Sequence, residues 1–234
     1  FKDSQTKNLD LGDNNILKEI HKSDIIIAGP PCQGVSLTGP RNIDDPRNKL
    51  YLSVFKTLKL TNPKAFVVEN VRGLKTMWNG NVFKEVIKKF ESAGYIVTES
   101  LLNSADYGVP QIRHRVFIVG IKKELNKKFE FPKPEFDKDN YITCGEAIDN
   151  LPSLENGELK SSNYNEKPTT NFQRYVMDSN KLYNHEATLH KQFVKETIAL
   201  VPEGGNYKDL PKGVGDSRKF NEAWTRYHSK KPSR

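Results

Sequence analysis

Four short apolar runs, spaced by segments of helical periodicity, constrain this chain most. Ile25-Ile26-Ile27-Ala28 is entered from Ser23-Asp24 and ended by Gly29-Pro30-Pro31. A continuous apolar run bounded by turn residues is the profile of a buried strand. Residues 48–60 place Leu50, Tyr51, Val54, Phe55 and Leu58 at helical spacing, and Asn62-Pro63 ends that helix. Ala65-Phe66-Val67-Val68 is a second buried strand. Residues 81–93 put Val82, Phe83, Val86, Ile87 and Phe90 on one helix face, and Gly94 follows as a stop. Tyr95 to Leu102 and Val116 to Ile121 read as two more strands. Strand, helix, strand, helix, strand predicts an α/β fold, a mainly parallel sheet with helices on its faces. In such sheets ligands sit at the carboxyl ends of the strands.

Two hundred and thirty-four residues are long for one domain and short for two. With 35% hydrophobic and 28% charged residues the chain can bury a core, which excludes collagen-like and disordered classes. No apolar run approaches the 18 or so residues of a membrane span. The opening FKDSQTKNLD lacks the layout of a signal peptide. Two cysteines do not make a disulfide scaffold and fit a reducing, cytoplasmic setting. The net charge of +8 is uneven. Residues 1–134 hold 22 Lys and Arg against 14 Asp and Glu, whereas residues 135–234 hold 15 of each. A basic first half favours a polyanionic partner; the plain alternative is solubility.

The alternation dissolves after Phe131-Pro132-Lys133-Pro134. A domain boundary is expected there, giving 1–134 and 135–234, with short strands and loops in the second part.

Four constellations carry chemistry. The first strand runs into Pro30-Pro31-Cys32-Gln33-Gly34. A cysteine on a rigid turn beyond a strand end suits a nucleophile, because the sulfur must be aimed; the alternative is an inert buried cysteine. The second strand ends in Glu69-Asn70-Val71. Desolvation there disfavours the charged carboxylate and makes it a usable proton donor; the alternative is a capping or ion-paired glutamate. Gln111-Ile112-Arg113-His114-Arg115 opens the last strand. Alternation sets Gln111, Arg113 and Arg115 on one face as an anion clamp, with a solvated edge as the alternative. The stretch with Ser36, Thr38, Gly39, Arg41 and Arg47 reads as a long lid-like loop or a plain surface loop. The five histidines are scattered and Cys144 is isolated, so no metal site is expected.

Together PPCQG at 30–34, ENV at 69–71, DYGVP at 106–110 and QIRHR at 111–115 resemble the C5-cytosine DNA methyltransferases in order and spacing. The likeness runs from about residue 10 to 121. It implies a Rossmann-like methyltransferase sheet with part of a small target-recognition domain. The implied activity is that of a DNA (cytosine-5-)-methyltransferase of a bacterial restriction–modification system. Cys32 would attack C6 of a flipped-out cytosine, Glu69 would act at N3, and Arg113 and Arg115 would hold the glutamate and the base. The implied methyl donor is S-adenosylmethionine, with Asp13, Asn14, Pro31 and Leu50 as its candidate contacts. Gln33, Ser36, Thr38, Arg41, Arg47, Asn70 and Gln111 are the candidate DNA contacts. The implied partner is double-stranded DNA at the nucleoid, met by a monomer, with no membrane.

The sequence also departs from that pattern. The family's opening F-x-G-x-G turn does not precede Asp13, and the first βαβ unit is missing. The chain ends just after Arg226-Tyr227-His228-Ser229-Lys230-Lys231-Pro232-Ser233, which resembles the run before the family's closing section. An internal fragment is therefore expected, inactive by itself, with an exposed apolar sheet edge that promotes self-association. Rival readings are a tRNA cytosine-5 methyltransferase with the same motifs, a cysteine hydrolase using Cys32 and His114, and a catalytically dead DNA-binding module.

Overall fold

The computed structural model describes residues 7–8, 13, 16, 20, 22–31, 50–154, 163–164, 166–216 and 224–233. The chain divides into two compact units. One comprises residues 1–103 and 114–133, the other 104–113 and 134–234.

The first unit holds a four-stranded sheet: β1 (Ile25–Ala28), β2 (Ala65–Val71), β3 (Tyr95–Asn103) and β4 (His114–Lys122), in the order β1-β2-β4-β3. Among the described residues, α1 (Tyr51–Thr61) and α2 (Asn81–Ser92) accompany it, with the single helical turn Gly73–Thr76 between them. β1 and β2 pair in parallel, with Ile25 opposite Ala65 and Ala28 opposite Val68. β4 is inserted between β2 and β3 and runs antiparallel to both. Three strands therefore share a direction, as the alternation predicts, while two of the three hydrogen-bonded pairs are antiparallel. The reason lies in chain length. Only ten residues join β3 to β4, too few for the crossover a parallel pair needs.

Local chemistry sets the boundaries. α1 ends at Asn62, which adopts a left-handed conformation (φ 52°) and returns its N–H to the Leu58 carbonyl; Pro63 then forbids continuation. α2 buries Phe83, Val86 and Phe90 as one stripe, and Gly94 (φ 93°) follows its C-cap. On the sheet face under these helices lie Phe66, Val68, Tyr95, Val116 and Ile118, all with 2% exposure or less. The Phe66 ring stands 4.9 Å from Phe90 and 5.0 Å edge-on from Tyr95. The Tyr95 hydroxyl donates to the Pro63 carbonyl at 2.9 Å. Phe66 also explains Gly120 on β4, where a Cβ would lie 2.1 Å from the ring. On the opposite sheet face, Ile25 and Ile27 of β1 are 59% and 80% exposed.

Among its described residues the second unit is built from loops and short helices: α3 (Cys144–Ile148), α4 (Asn171–Val176) and α5 (Gln192–Ala199). Short strands were the expectation. Among the described residues this unit has isolated bridges only, Gln111–Ser233 and Asn163–Lys181. Capping boxes start α3 and α4: Thr143 with Glu146, and Thr170 with Gln173. Asp106 anchors the start of the long segment. Its carbonyl accepts the N–H groups of Glu135 (2.9 Å) and Phe136 (3.1 Å), and its carboxylate accepts the Tyr141 hydroxyl. Gly108 (φ 79°) lies against the Phe136 ring, which would sit 3.1 Å from a Cβ.

Candidate active site

In the first unit, β2 and β4 carry the glutamate and an arginine of the two strand-borne motifs. Glu69 lies opposite Phe117, and Val71 lies opposite Arg115. Residues two apart on a strand share a face, so Glu69 and Arg115 are diagonal neighbours within reach of long side chains. Arg115 Nε lies 2.8 Å from Glu69 Oε1, and its Nη1 donates to the His114 carbonyl at 2.9 Å. The arginine side chain is 23% exposed and the glutamate 40%. Glu69 is thus less desolvated than its place after four apolar residues suggests. Its close neighbour is the Arg115 guanidinium, whose hydrogen bond orients the carboxyl group.

Asn70 points to the opposite, buried side of β2. Its Nδ2 donates to the Pro30 carbonyl (3.0 Å) and its Oδ1 accepts the Val71 N–H (2.8 Å). The turn after β1 is thereby fastened to the end of β2, two residues before Cys32 in the sequence. Gly29 opens that turn, and a Cβ there would meet Glu69 Oε2 at 3.8 Å. The carboxyl ends of the parallel pair therefore gather Gly29, Pro30, Glu69 and Asn70. Pro31 is exposed beyond them, Leu50 is half-buried before α1, and Asp13 is exposed. Asn14, Cys32, Gln33, Ser36, Thr38, Arg41 and Arg47 lie outside the described residues.

Gln111 and Arg113 belong to the second unit, and Arg115 to the first. The even alternation expected across 111–115 fails because β4 begins only at His114. Gln111 is half-buried and pairs in a parallel bridge with Ser233. Arg113 is exposed, and its carbonyl accepts both the N–H (3.0 Å) and the Oγ (3.2 Å) of Ser104. No sequence motif marks Ser104, and Ser233 stands in the sequence only as the end of the Arg226–Ser233 run. For Ser104 the signal is its closeness to DYGVP at 106–110.

Elsewhere in the second unit, Glu203 Oε1 accepts the Ser229 N–H and faces His228 Nδ1 at 3.6 Å. Those hydrogen bonds from Ser229, with His228 and Arg226 nearby, hold the Glu203 carboxyl below the usual carboxylate range. Burial and the Asp149 charge push the Cys144 thiol up, away from the reactive thiolate. Among the described residues no cluster of three His, Cys, Asp or Glu side chains could hold a metal ion. None of the helices described is long and apolar enough to cross a membrane.

Comparison with known proteins follows the same lines. The family model for C-5 cytosine-specific DNA methylases matches residues 1–232. Type II methyltransferase M1.HphI of Haemophilus parahaemolyticus is 37% identical over the whole chain, which covers 58% of that relative. Type II methyltransferase M.DdeI of Desulfomicrobium norvegicum is 38% identical over 86% of the chain and 50% of its own length. The chain thus spans about half the length of these curated relatives. A crystal structure from E. coli, described as a prophage-encoded DNA modification methyltransferase, superposes with a TM-score of 0.64. That match covers 96% of this chain and 67% of the other at 23% identity, and it shows a shared methyltransferase fold. With its sheet, its ordered motifs and the full-length family match, this chain belongs to the C-5 cytosine-specific DNA methylase family.

Proposed function

We propose that the protein carrying this chain is a DNA (cytosine-5-)-methyltransferase of a type II restriction–modification system. The observation that carries this reading is the Glu69–Arg115 pair, 2.8 Å apart at the strand-end edge of the sheet, in a chain of this family. Ring carbon C5 of cytosine is a poor nucleophile until C6 is saturated. Cys32 supplies that step: its thiolate adds to C6, and electron density moves to C5 while N3 gains a proton or a hydrogen bond. Glu69 acts at N3, and the charge of Arg115 holds its carboxyl in place. S-adenosylmethionine, when bound, supplies the methyl group. After transfer the C5 proton leaves to a base, the Cys32–C6 bond breaks, and the thiolate returns. Arg113 is a further proposed catalytic residue on the strength of the motif.

The carboxyl ends of β1 and β2 suit a nucleoside-bearing donor, because ligands of such sheets sit at strand carboxyl ends and Gly29 lets the backbone come close. Asp13, Asn14, Pro31 and Leu50 are proposed to hold it. Duplex DNA is the proposed partner, with Gln33, Ser36, Thr38, Arg41, Arg47 and Gln111 as its contacts and the cytosine flipped from the stack; Asn70, expected among them, is buried and spends its amide group on Pro30 and Val71. Residues 1–134 are proposed as the catalytic part and 135–234 as the target-recognition part.

The test is covalent trapping on duplexes containing 5-fluorocytosine, whose C5–F bond blocks release. An adduct that Cys32→Ser abolishes is expected. No adduct on a random-sequence duplex library, or methyl transfer to tRNA alone, overturns the reading.

A further inference from the structure

Within the second unit, the stretch from His228 to Ser233 ties together three segments far apart in sequence. At its centre, the Ser229 carbonyl accepts the Gly145 N–H (2.8 Å) and the Lys231 carbonyl accepts the Cys144 N–H (2.8 Å), both at the start of α3. On its upstream side the Ser229 N–H is held by Glu203. On its downstream side the Ser233 N–H donates to the Pro110 carbonyl (2.9 Å), and the Ser233 carbonyl accepts the Ile112 N–H (2.7 Å). Gly145 is part of this fit, since a Cβ there would press to 3.0 Å on the Ser229 carbonyl. Ser104 secures the next peptide through the Arg113 carbonyl. The backbone on both sides of Ile112 is therefore fixed, and it carries Gln111 and Arg113.

We infer that residues 229–233 are a positioning strap for Gln111 and Arg113, and that Glu203 fixes the strap's other end. Glu203 and Ser233 thus act on the reaction through other residues and touch no reacting atom. The inference rests on the methyltransferase reading for its kinetic consequence, but not for the bonds. Its physical basis is that a small displacement of a substrate-holding side chain costs rate steeply, on the order of 10²-fold per Å.

The experiment combines amide hydrogen exchange with steady-state kinetics on the protein that carries this chain. Ser233→Pro removes one N–H donor and strains the bridge. Glu203→Ala removes the far anchor and spares the backbone; Glu203→Gln keeps an acceptor oxygen. Lys230→Ala alters only an exposed side chain and serves as control. Expected are exchange at the Ile112 amide about tenfold faster in Ser233→Pro and Glu203→Ala, the equivalent of one lost hydrogen bond, and recovery in Glu203→Gln. In the same two variants the KM for duplex rises and kcat falls, while the KM for S-adenosylmethionine holds. If Ser233→Pro does not fold, Glu203→Ala against Glu203→Gln decides. Unchanged exchange overturns the strap, and so does faster exchange with unmoved duplex constants. Failure of the wild-type protein to form a 5-fluorocytosine adduct sinks the methyltransferase reading instead, and the exchange arm still reports on the strap.

Discussion

Glu69 and Arg115 meet diagonally across β2 and β4, two residues off register, Oε1 to Nε at 2.8 Å. The two residues are 46 positions apart in sequence, and the antiparallel insertion of β4 makes them neighbours. Both side chains keep partial exposure. A pair of this kind contributes at most about 1 kcal/mol to stability, so its value lies in orientation.

Arg115→Ala should therefore separate activity from stability. Methyl transfer is expected to fall on the order of 10²- to 10³-fold, as when a preorganised electrostatic partner is removed, with a melting temperature within a few degrees of wild type. Arg115→Lys should restore little, because a single ammonium cannot reproduce the bonds to Glu69 and the His114 carbonyl together. A large drop in melting temperature with proportionate loss of activity would reassign Arg115 to the scaffold.

Gly120→Ala tests the core. Its methyl group would need the space of the Phe66 ring, 2.1 Å away, and Phe66 is itself locked between Phe90 and Tyr95. Destabilisation of about 3 kcal/mol is expected from overpacking, read from the urea midpoint. Gly120→Ala with Phe66→Leu should recover part of the loss; no recovery would mean the clash lies elsewhere.

Asn70→Ala removes the bond to Pro30 and strips the Val71 N–H of its acceptor. Loss of buried partners costs about 1–3 kcal/mol. Because the tie fastens the turn leading into Cys32, the rate of 5-fluorocytosine trapping should fall by more than the folded fraction does. Trapping that follows the folded fraction alone would limit Asn70 to stability.

Tyr95 gives an alkaline signature. Burial, aided by the charge of Glu124, raises its phenol from 10.0 to about 12. The folded state thus resists deprotonation more than the unfolded chain does. The stabilising contribution is complete below pH 10 and is lost as pH rises from 10 towards 12. Tyr95→Phe should be less stable at neutral pH, lacking the bond to Pro63, but should flatten the fall above pH 10. Parallel stability–pH curves would refute the assignment.

The first unit was largely legible in sequence because its elements are long enough to show a period. β1, α1, β2, α2 and β3 fall within a few residues of their apolar patterns. The Glu69 and Arg115 motifs were legible by residue type, though not their diagonal contact, which depends on the register of β4. Treating residues 111–115 as strand was the main error. Pro110 and the bridge to Ser233 keep Gln111–Arg113 out of the sheet. In the second unit, helices of five to eight residues are too short for an apolar stripe to emerge. Thr143-x-x-Glu146 and Thr170-x-x-Gln173 were the readable signals, since capping requires side chains at that spacing.

One motif shared between two units has a consequence for recombination. A chimera that exchanges everything after residue 134 would transplant Tyr141, Glu135, Phe136 and Ser233 while leaving Asp106, Gly108 and Pro110 behind. Every hydrogen bond that grips the QIR backbone from that side would then face a mismatched host loop. A graft that carries residues 104–113 along with 134–234 keeps each of these donors with its own acceptor, so the piece that exchanges intact is discontinuous in sequence.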